Sequence, residues 1–483
     1  MASNKILGVH AREILGSDGM PALEAEVLTI RGTFRAVVSN VGPFDKDHLE
    51  GDEAARFQGK GLNHAVQTVL TLLGDKLLNK DPTKQEAIDA ILMEDPTYPA
   101  NAVLALSIAC CKAGAKFNES EWYAHVAALG NVSDARIPMP WFNIVAGGNF
   151  ANNELYPQSV SFADTAADSI RTALDSAGKI YAAFTEVCVR GGEDVVDEES
   201  GDVTLVGGAG LASKPNAGKL GALAPTFNDM NSCLKTIKTT LGEVGLGDSV
   251  KLSVNMQVSA YSSVIENEDE TEETQFQYEL SKWAPADAIK VLKNSGEMLD
   301  DYFEWLQQFP LVSIEDGFEK KDSGSLIALK EKVEAEVLRV NEAKEAGEEE
   351  ENLFAVDLGG SEGVALQLVG NESISSFDDI VKAEEKQTVN AVVLSLAKAK
   401  TITNFIALNA KAESLGMPVI VSSEFDGCCN DVFDAHLAVG VRAAQFRGGG
   451  LCTYEFSNKY NELLRIAEEG EEAPAYIGTD FRK

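Results

Sequence analysis

Apolar and polar positions alternate along the first part of the chain. Over residues 5–39 the alternation has a period of two, and Gly19 and Gly32 supply turn signals, so the pattern predicts a short antiparallel sheet. Residues 63–78 and 101–115 instead repeat apolar positions at spacings of three and four, which predicts amphipathic or buried helices. Strands followed by helices indicate a separate α+β domain.

From about residue 140 onward, short apolar segments alternate with helical ones. The strand candidates are 251–258, 310–314, 366–370, 391–396, 418–422 and 443–446. This alternation predicts a parallel α/β barrel. A chain of 483 residues is also longer than one ordinary core sustains, so we assign residues 1–140 to the α+β domain and residues 141–483 to the barrel.

Three acidic stretches interrupt the barrel pattern, near residues 193–202, 266–273 and 345–351. Charge runs of this kind are typical of solvated surface insertions. A specific acidic docking face is the alternative interpretation.

The charge balance restricts the partners of the chain. Lys and Arg number 41 against 76 Asp and Glu, a formal net charge of −35, which repels nucleic-acid phosphates and anionic lipid heads. The N-terminus has no apolar stretch of signal length, and an 18-residue run of apolar residues is absent from the sequence. We therefore expect a cytoplasmic protein with neither nucleic-acid binding nor membrane insertion.

The seven cysteines are odd in number and show no C-x-x-C spacing, which favours reduced thiols. A zinc or redox site built on Cys428, Cys429 and His436 is the alternative.

One motif carries candidate chemistry. Residues 313–318 read SIEDGF and place Glu315 at the end of an apolar strand. The segment resembles the SIEDPF strand of the enolase family, which carries a metal-binding glutamate. Residues 11–15 (AREIL), 59–61, 100–102, 111–113 and 459–466 (KYNELLRI) are similar to further landmarks of that family in the same order, so the resemblance covers essentially the whole chain. It implies an N-terminal α+β domain, an enolase-type (β/α)8 TIM barrel and usually a homodimer.

The family's reaction removes a weakly acidic proton, which requires a base, metal ions and an acid for the leaving hydroxide. The base lysine of LLLKVNQIGT corresponds to Ser395, whose hydroxyl cannot replace it. Lys398 and Lys400 follow at a spacing that does not suit the strand end. The acid glutamate of GDEGG corresponds to Ala209, which has no carboxyl group.

Magnesium in the family is held by three carboxylates, because a hard cation takes charged oxygens. The resemblance leaves only Glu315, since Asn255 and Asn371 stand at the other two positions. Two interpretations of Glu315 remain open: weak metal binding, or a buried acid paired with a nearby cation.

The substrate positions are also changed. Ser423 and Glu424 replace the histidine and the phosphate-binding arginine of VSHRSGE, and Gly42 replaces the last serine of the SGAST loop. Phe150 stands for the histidine of NGGSHAG, and Ser159 for the glutamate of QEF.

One positive charge is kept, because Arg447 corresponds to the lysine of QIKTG. Arg447 could hold a small anion or pair with Glu315 or Glu424, and we favour the ion pair.

These losses predict a catalytically inactive enolase-like protein that needs no cofactor and has a structural or interaction role. The resemblance suggests a cytoskeletal or flagellar assembly as its location. One alternative is a magnesium-dependent phosphopyruvate hydratase that converts 2-phosphoglycerate to phosphoenolpyruvate and depends on Glu315. Another is a binder of a different small anion, or a new lyase, that uses Glu315, Glu424, Asp426 and Arg447.

Overall fold

A computed structural model describes residues 4–17, 19–39, 56–190, 193–196, 203–206, 216–265, 274–346, 366–424, 430–470 and 473–482. Gly42, Ala209, Asp426, Cys428 and Cys429 lie outside these ranges, as do residues 197–202, 266–273 and 347–351 of the acidic stretches.

The chain begins with the predicted antiparallel sheet. Its strands are β1 (Ile6–Leu15), β2 (Pro21–Thr29) and β3 (Gly32–Ser39), paired in that order. Gly19 and Gly32 have φ of 75° and 127°, a region that favours glycine and lets the chain turn back on itself. The period of two is visible in β2, where alternate side chains from Leu23 to Val27 are fully buried.

A helical layer covers this sheet. Its helices are α1 (Asn63–Thr68), α2 (Gly74–Leu77), α3 (Gln85–Leu92), α4 (Ala100–Phe117) and α5 (Trp122–Gly130), with a π-helical turn, Val69–Leu73, between α1 and α2. The helices predicted at 63–78 and 101–115 are therefore confirmed, although the first contains the π turn.

Within the described part of the chain, α4 alone is long and apolar enough to cross a membrane by length and composition. Of its residues, 83% are buried, and the helix packs against β2 and β3, which is the position of a core helix.

The remaining strands, in chain order, are β4 (Arg136–Ile137), β5 (Met139–Ala146), β6 (Ser159–Asp164), β7 (Glu193–Val196), β8 (Val203–Val206), β9 (Val250–Asn255), β10 (Ser262–Ile265), β11 (Gln275–Glu279), β12 (Leu292–Asn294), β13 (Leu311–Glu315), β14 (Gln367–Gly370), β15 (Ala391–Leu394), β16 (Val419–Ser422), β17 (Gln445–Gly450) and β18 (Ala475–Tyr476). The remaining helices are α6 (Ile170–Arg190), α7 (Met230–Glu243), α8 (Ser295–Gln308), α9 (Ser323–Glu345), α10 (Phe377–Glu385), α11 (Leu396–Ala399), α12 (Ile402–Ser414), α13 (Phe433–Gly440) and α14 (Tyr454–Glu468).

Eight strands close into a barrel in the order β13-β14-β15-β16-β17-β5-β6-β9. The prediction of a parallel barrel is wrong for one strand, because β6 runs antiparallel to both β5 and β9. The link between β5 and β6, residues 147–158, holds only the 3-10 turn Gly148–Phe150, and it lacks the crossover helix that usually returns the chain for parallel pairing. The other seven strands are mutually parallel.

The strand expected at 391–396 ends early, at Leu394, because Ser395 caps the short helix α11. The first acidic stretch also contains structure of its own, since β7 pairs antiparallel with β8. Outside the barrel, β10, β11 and β12 form a separate antiparallel sheet.

A buried ion pair joins the N-terminal sheet to the barrel. Lys112 of α4 donates from Nζ to both oxygens of Asp431, at 2.9 and 2.8 Å, and to the carbonyl oxygen of Arg35 at 2.9 Å. Its ammonium also lies 4.6 Å from the centre of the Trp122 ring. Asp431 follows β16 at the carboxyl end of the barrel and accepts the Val37 N–H, so the sheet is anchored beside the barrel mouth.

Candidate functional site

The carboxyl ends of the barrel strands bring the predicted metal positions together. Glu315 and Asn255 are the last residues of β13 and β9 and lie opposite each other in register. Asn371 directly follows β14, which pairs with the other side of β13. In α/β barrels this end of the strands carries the functional side chains.

Glu315 is completely buried and its carboxylate is surrounded by donors. Its Oε1 accepts Nδ2 of Asn255 at 2.8 Å, Nδ2 of Asn371 at 2.6 Å and Nη2 of Arg447 at 2.9 Å. Its Oε2 accepts Nη1 of Arg447 at 2.5 Å. Oε1 thus accepts three donors and Oε2 accepts one, so both oxygens of the carboxylate are hydrogen-bonded within the chain.

Arg447 of β17 lies between two carboxylates. Besides its contacts with Glu315, its Nε is 2.7 Å from Oε2 of Glu424. This is the ion pair favoured from the sequence, and it involves both acids. Burial alone would lower the pKa of Arg447, but the charges of Glu315 and Glu424 raise it, so the guanidinium stays protonated.

Glu424 belongs to a second set of hydrogen bonds. Its Oε1 accepts Nδ2 of Asn143, and Asn143 Oδ1 in turn accepts the Ser161 hydroxyl at 2.6 Å. Ser422 donates its hydroxyl to Oε2 of Glu424 at 3.3 Å. Burial raises the pKa of Glu424, although Arg447 acts in the opposite direction.

This arrangement does not fit magnesium. The two amides direct N–H groups at Glu315, and a hard cation needs oxygens, preferably charged ones. In the ranges that the structure describes, no three His, Cys, Asp or Glu side chains are grouped to share a metal ion. The guanidinium of Arg447 instead supplies the positive charge that the buried carboxylates require.

The expected base position and two of the other replaced positions are held by serines. Ser395 accepts the Lys398 N–H at 3.4 Å as the N-cap of α11. Ser159 begins β6 opposite Asn255, and Ser423 donates its N–H to the carbonyl oxygen of Arg447 at 3.0 Å. Both serines are buried.

Phe150 ends the 3-10 turn after β5, and its carbonyl oxygen accepts the Lys219 N–H at 2.8 Å. This contact fixes the backbone at the position where the resemblance expects a histidine.

Lys398 reaches the barrel mouth despite its spacing from Ser395. Its Nζ donates to Oδ1 of Asn371 at 2.6 Å and to the carbonyl oxygens of Asn371 and Ile374 at 2.5 and 3.3 Å. The helical turn of α11 carries the lysine past the strand end, and its long side chain reaches back over β14. Burial lowers the pKa of Lys398 to about 8, against the opposing effect of Asp316, Glu315 and Glu372.

Sequence reasoning also missed Asp316, which directly follows Glu315. It adopts a left-handed backbone, with φ of 45°, and its carboxylate accepts the N–H groups of Asn371 and Glu372 at 2.9 and 3.0 Å. Burial, with the charges of Glu315 and Glu372, raises its pKa to about 7. The adjacent acids of SIEDGF were the available signal.

Tight backbone packing fixes β17 beyond Arg447. Gly449 has φ of 103°, and a Cβ there would meet the Phe456 ring. A Cβ on Gly450 would lie 2.1 Å from the carbonyl oxygen of Gly221. Tyr460 accepts the Gly448 N–H at 2.9 Å, which holds the same segment from α14. A side chain at Gly449 would have to displace the Phe456 ring, and one at Gly450 would have to displace the backbone.

The fold and the position of the site define an α/β-barrel protein of the enolase type. The family model of the enolase N-terminal domain matches residues 6–126, and that of the enolase C-terminal TIM barrel domain matches residues 134–344 and 344–483. An enolase of Eimeria tenella is 30% identical over 497 aligned positions, which cover 99% of this chain and 98% of that protein. The chain therefore belongs to the enolase family.

Proposed function

We propose that this member of the enolase family is catalytically inactive and has a structural or interaction role. The observation that carries the proposal is the position of Arg447, which bridges Glu315 and Glu424 where the family reaction needs a divalent ion. The amides of Asn255 and Asn371 are also directed at Glu315, so its carboxylate has its partners from within the chain.

The groups for proton transfer support the same conclusion. The base position holds Ser395, whose hydroxyl caps a helix, and the acid position is Ala209, outside the described residues. Loss of one electrostatic catalytic group typically costs on the order of 10²–10³ in rate. Here the base, the acid and the metal site are all replaced.

A turnover assay tests the proposal. Phosphoenolpyruvate formation from 2-phosphoglycerate is followed by ultraviolet absorbance at high protein concentration and with ample magnesium, beside a Glu315→Ala variant purified identically. We expect no turnover above that of the variant. Turnover that disappears in Glu315→Ala would instead establish the phosphopyruvate hydratase alternative.

The proposed role is that of an acidic, homodimeric cytoplasmic scaffold within a cytoskeletal or flagellar assembly. The net charge of −35 and the family resemblance support it. Analytical ultracentrifugation tests the dimer, and co-sedimentation with tubulin or axonemal fractions tests the assembly. A wholly free cytosolic pool would contradict this location.

A second candidate function is favoured by Lys398, whose ammonium lies at the barrel mouth with a pKa lowered to about 8. It is the binding of a different small anion, or a new lyase reaction, in the remodelled mouth. A panel of carboxylates and phosphates is tested for an increase in melting temperature, because a ligand that prefers the native state stabilises it. An increase lost in Lys398→Met would support this function, and no increase would exclude it for the panel.

A further inference from the structure

A cavity of about 370 Å³ lies outside the Glu315–Arg447–Glu424 cluster. Its walls come from the segment before β6, from the start of α7, from α8 and from the loop between β11 and β12. We call it the α7–α8 cavity. A volume of this size accepts a large side chain with its flanking backbone, or a small molecule.

The wall of the α7–α8 cavity is largely apolar, and the apolar surface continues outside it. The main apolar contributors are Leu155, Met230, Leu280, Ile289, Val291 and Trp305. Ile289 is 88% exposed, and Val291 and the neighbouring Leu292 are 45% and 44% exposed. Contiguous exposed apolar residues at a cavity are typical of interaction sites, because covering them removes apolar area from water.

The charged lining of this cavity is acidic. It consists of Glu154, Asp229 and Asp301 against Lys293. Lys293 is already paired with Asp301, from Nζ to Oδ1 at 2.6 Å, and one oxygen of Asp229 caps α7 by accepting the Ser232 N–H at 2.7 Å. Glu154 is exposed at the surface. The remaining negative charge favours a cationic occupant.

An edge strand lies beside the cavity. β12 pairs with β11 on one side, and the sheet order β10-β11-β12 leaves its other side as a sheet edge within the described residues. An extended peptide can add to such an edge through backbone hydrogen bonds while its alternate side chains enter a pocket. This geometry favours a polypeptide over a free small molecule.

We propose that the α7–α8 cavity binds an extended segment of a partner protein in which a large apolar side chain is flanked by lysine or arginine. The apolar side chain fills the cavity, and the flanking cations face Glu154 and the acidic lining. The proposal rests on the interaction role proposed above, since it names the chemistry of the partner. It does not depend on whether the barrel mouth turns over 2-phosphoglycerate.

The test uses the full-length protein and a fluorescein-labelled peptide of alternating leucine and lysine, followed by fluorescence anisotropy. Ile289→Asp introduces a charge into the apolar rim, and Glu154→Lys reverses a charge of the lining. Both residues are exposed, so both variants should keep the wild-type melting temperature. The matched controls on α9 are Leu338→Asp, at a residue that is 62% exposed, and Glu331→Lys, at an exposed residue.

We expect saturable binding that weakens about tenfold in Ile289→Asp and in Glu154→Lys, and that is unchanged in the two controls. A matching leucine and glutamate peptide should not bind. Equal loss in the controls, binding of the glutamate peptide, or an absence of saturable binding would overturn the proposal. Complete competition by spermidine would overturn it too, because the site would then take a small cation. None of these outcomes alters the turnover assay, so the two proposals fail separately.

Discussion

The guanidinium of Arg447 and the carboxylate of Glu315 meet at two points, with Nη2 2.9 Å from Oε1 and Nη1 2.5 Å from Oε2. The planar fork of arginine matches a carboxylate in this way, whereas a lysine offers only a point charge. Arg447 is 2% exposed and Glu315 is 0% exposed, so water screens neither charge. The positive charge that faces Glu315 at the barrel mouth therefore comes from Arg447 of the same chain.

Removal of that cation should destabilise the fold. In Arg447→Met, the carboxylates of Glu315 and Glu424 lose their shared partner, and we expect a loss of about 3–5 kcal/mol in the free energy of unfolding. Urea unfolding measures it. Arg465→Met is the matched control, because that arginine is half exposed and pairs with Glu462 at the surface, where the loss should stay below about 1 kcal/mol. Similar losses in both variants would contradict the central role of Arg447.

Magnesium should not stabilise the wild-type protein. Neither magnesium chloride nor a chelator should shift its melting temperature, since Glu315 is occupied by four donors. The variant Asn255→Asp/Asn371→Asp/Arg447→Lys restores carboxylates and should gain magnesium-dependent stability, about 2.7 kcal/mol at a hundredfold excess over the dissociation constant. Arg447→Lys alone is the control without new carboxylates. A magnesium-dependent shift in the wild type would contradict our account of the site.

The pH dependence of stability should reveal Asp316. Because its pKa rises from 3.8 to about 7 on folding, the native state binds more protons than the unfolded state between these values. This carboxyl therefore lowers stability as the pH rises from about 4 to about 7, and Asp316→Asn removes that contribution. Relative to wild type, the variant should gain stability across this range in urea unfolding. A pH-independent difference between the two proteins would exclude the raised pKa.

The ion pair between Lys112 and Asp431 should hold the N-terminal sheet on the barrel. Lys112→Met leaves a buried carboxylate unpaired and should cost about 3–5 kcal/mol. Lys76→Met, which removes an exposed pair with Glu94, is the control with a small expected loss. Urea unfolding of both variants gives the comparison.

Acid unfolding provides a second measurement of this ion pair. Burial opposes ionisation of Asp431, but Lys112 and the hydrogen bonds lower its pKa, so its stabilising effect is lost as the pH falls through that lowered value. Lys112→Met should weaken this loss. A variant with an unchanged acid transition would show that the pair does not determine it.

Local patterns predicted much of the fold. Gly19 and Gly32 mark the turns of the N-terminal sheet because their positive φ favours glycine. The apolar strand runs predicted a barrel, but apolar periodicity carries no information about strand direction. The antiparallel orientation of β6 follows from the short connection between β5 and β6. The spacing of apolar residues does not reveal this orientation.

The sequence predicted the site residues that differ from the enolase motifs. It did not predict the residues whose position depends on the tertiary structure. Ser395, Asn255 and Asn371 can be read directly, because the chemical group is either present or absent at a position. Lys398 could not be placed, since its role depends on a helix of four residues and on the reach of a flexible side chain. The raised pKa of Asp316 depends first on its burial, which the sequence does not reveal, and then on the charges of Glu315 and Glu372.

The glycines of β17 have a consequence for how such a protein can change over generations. One methyl group at Gly450 would collide with the carbonyl oxygen of Gly221, so a side chain at this position would require the backbone itself to move. Selection against misfolding therefore acts on these glycines whether or not the barrel mouth turns over a substrate. A lineage can then exchange the reactive groups one at a time while its descendants inherit the same barrel.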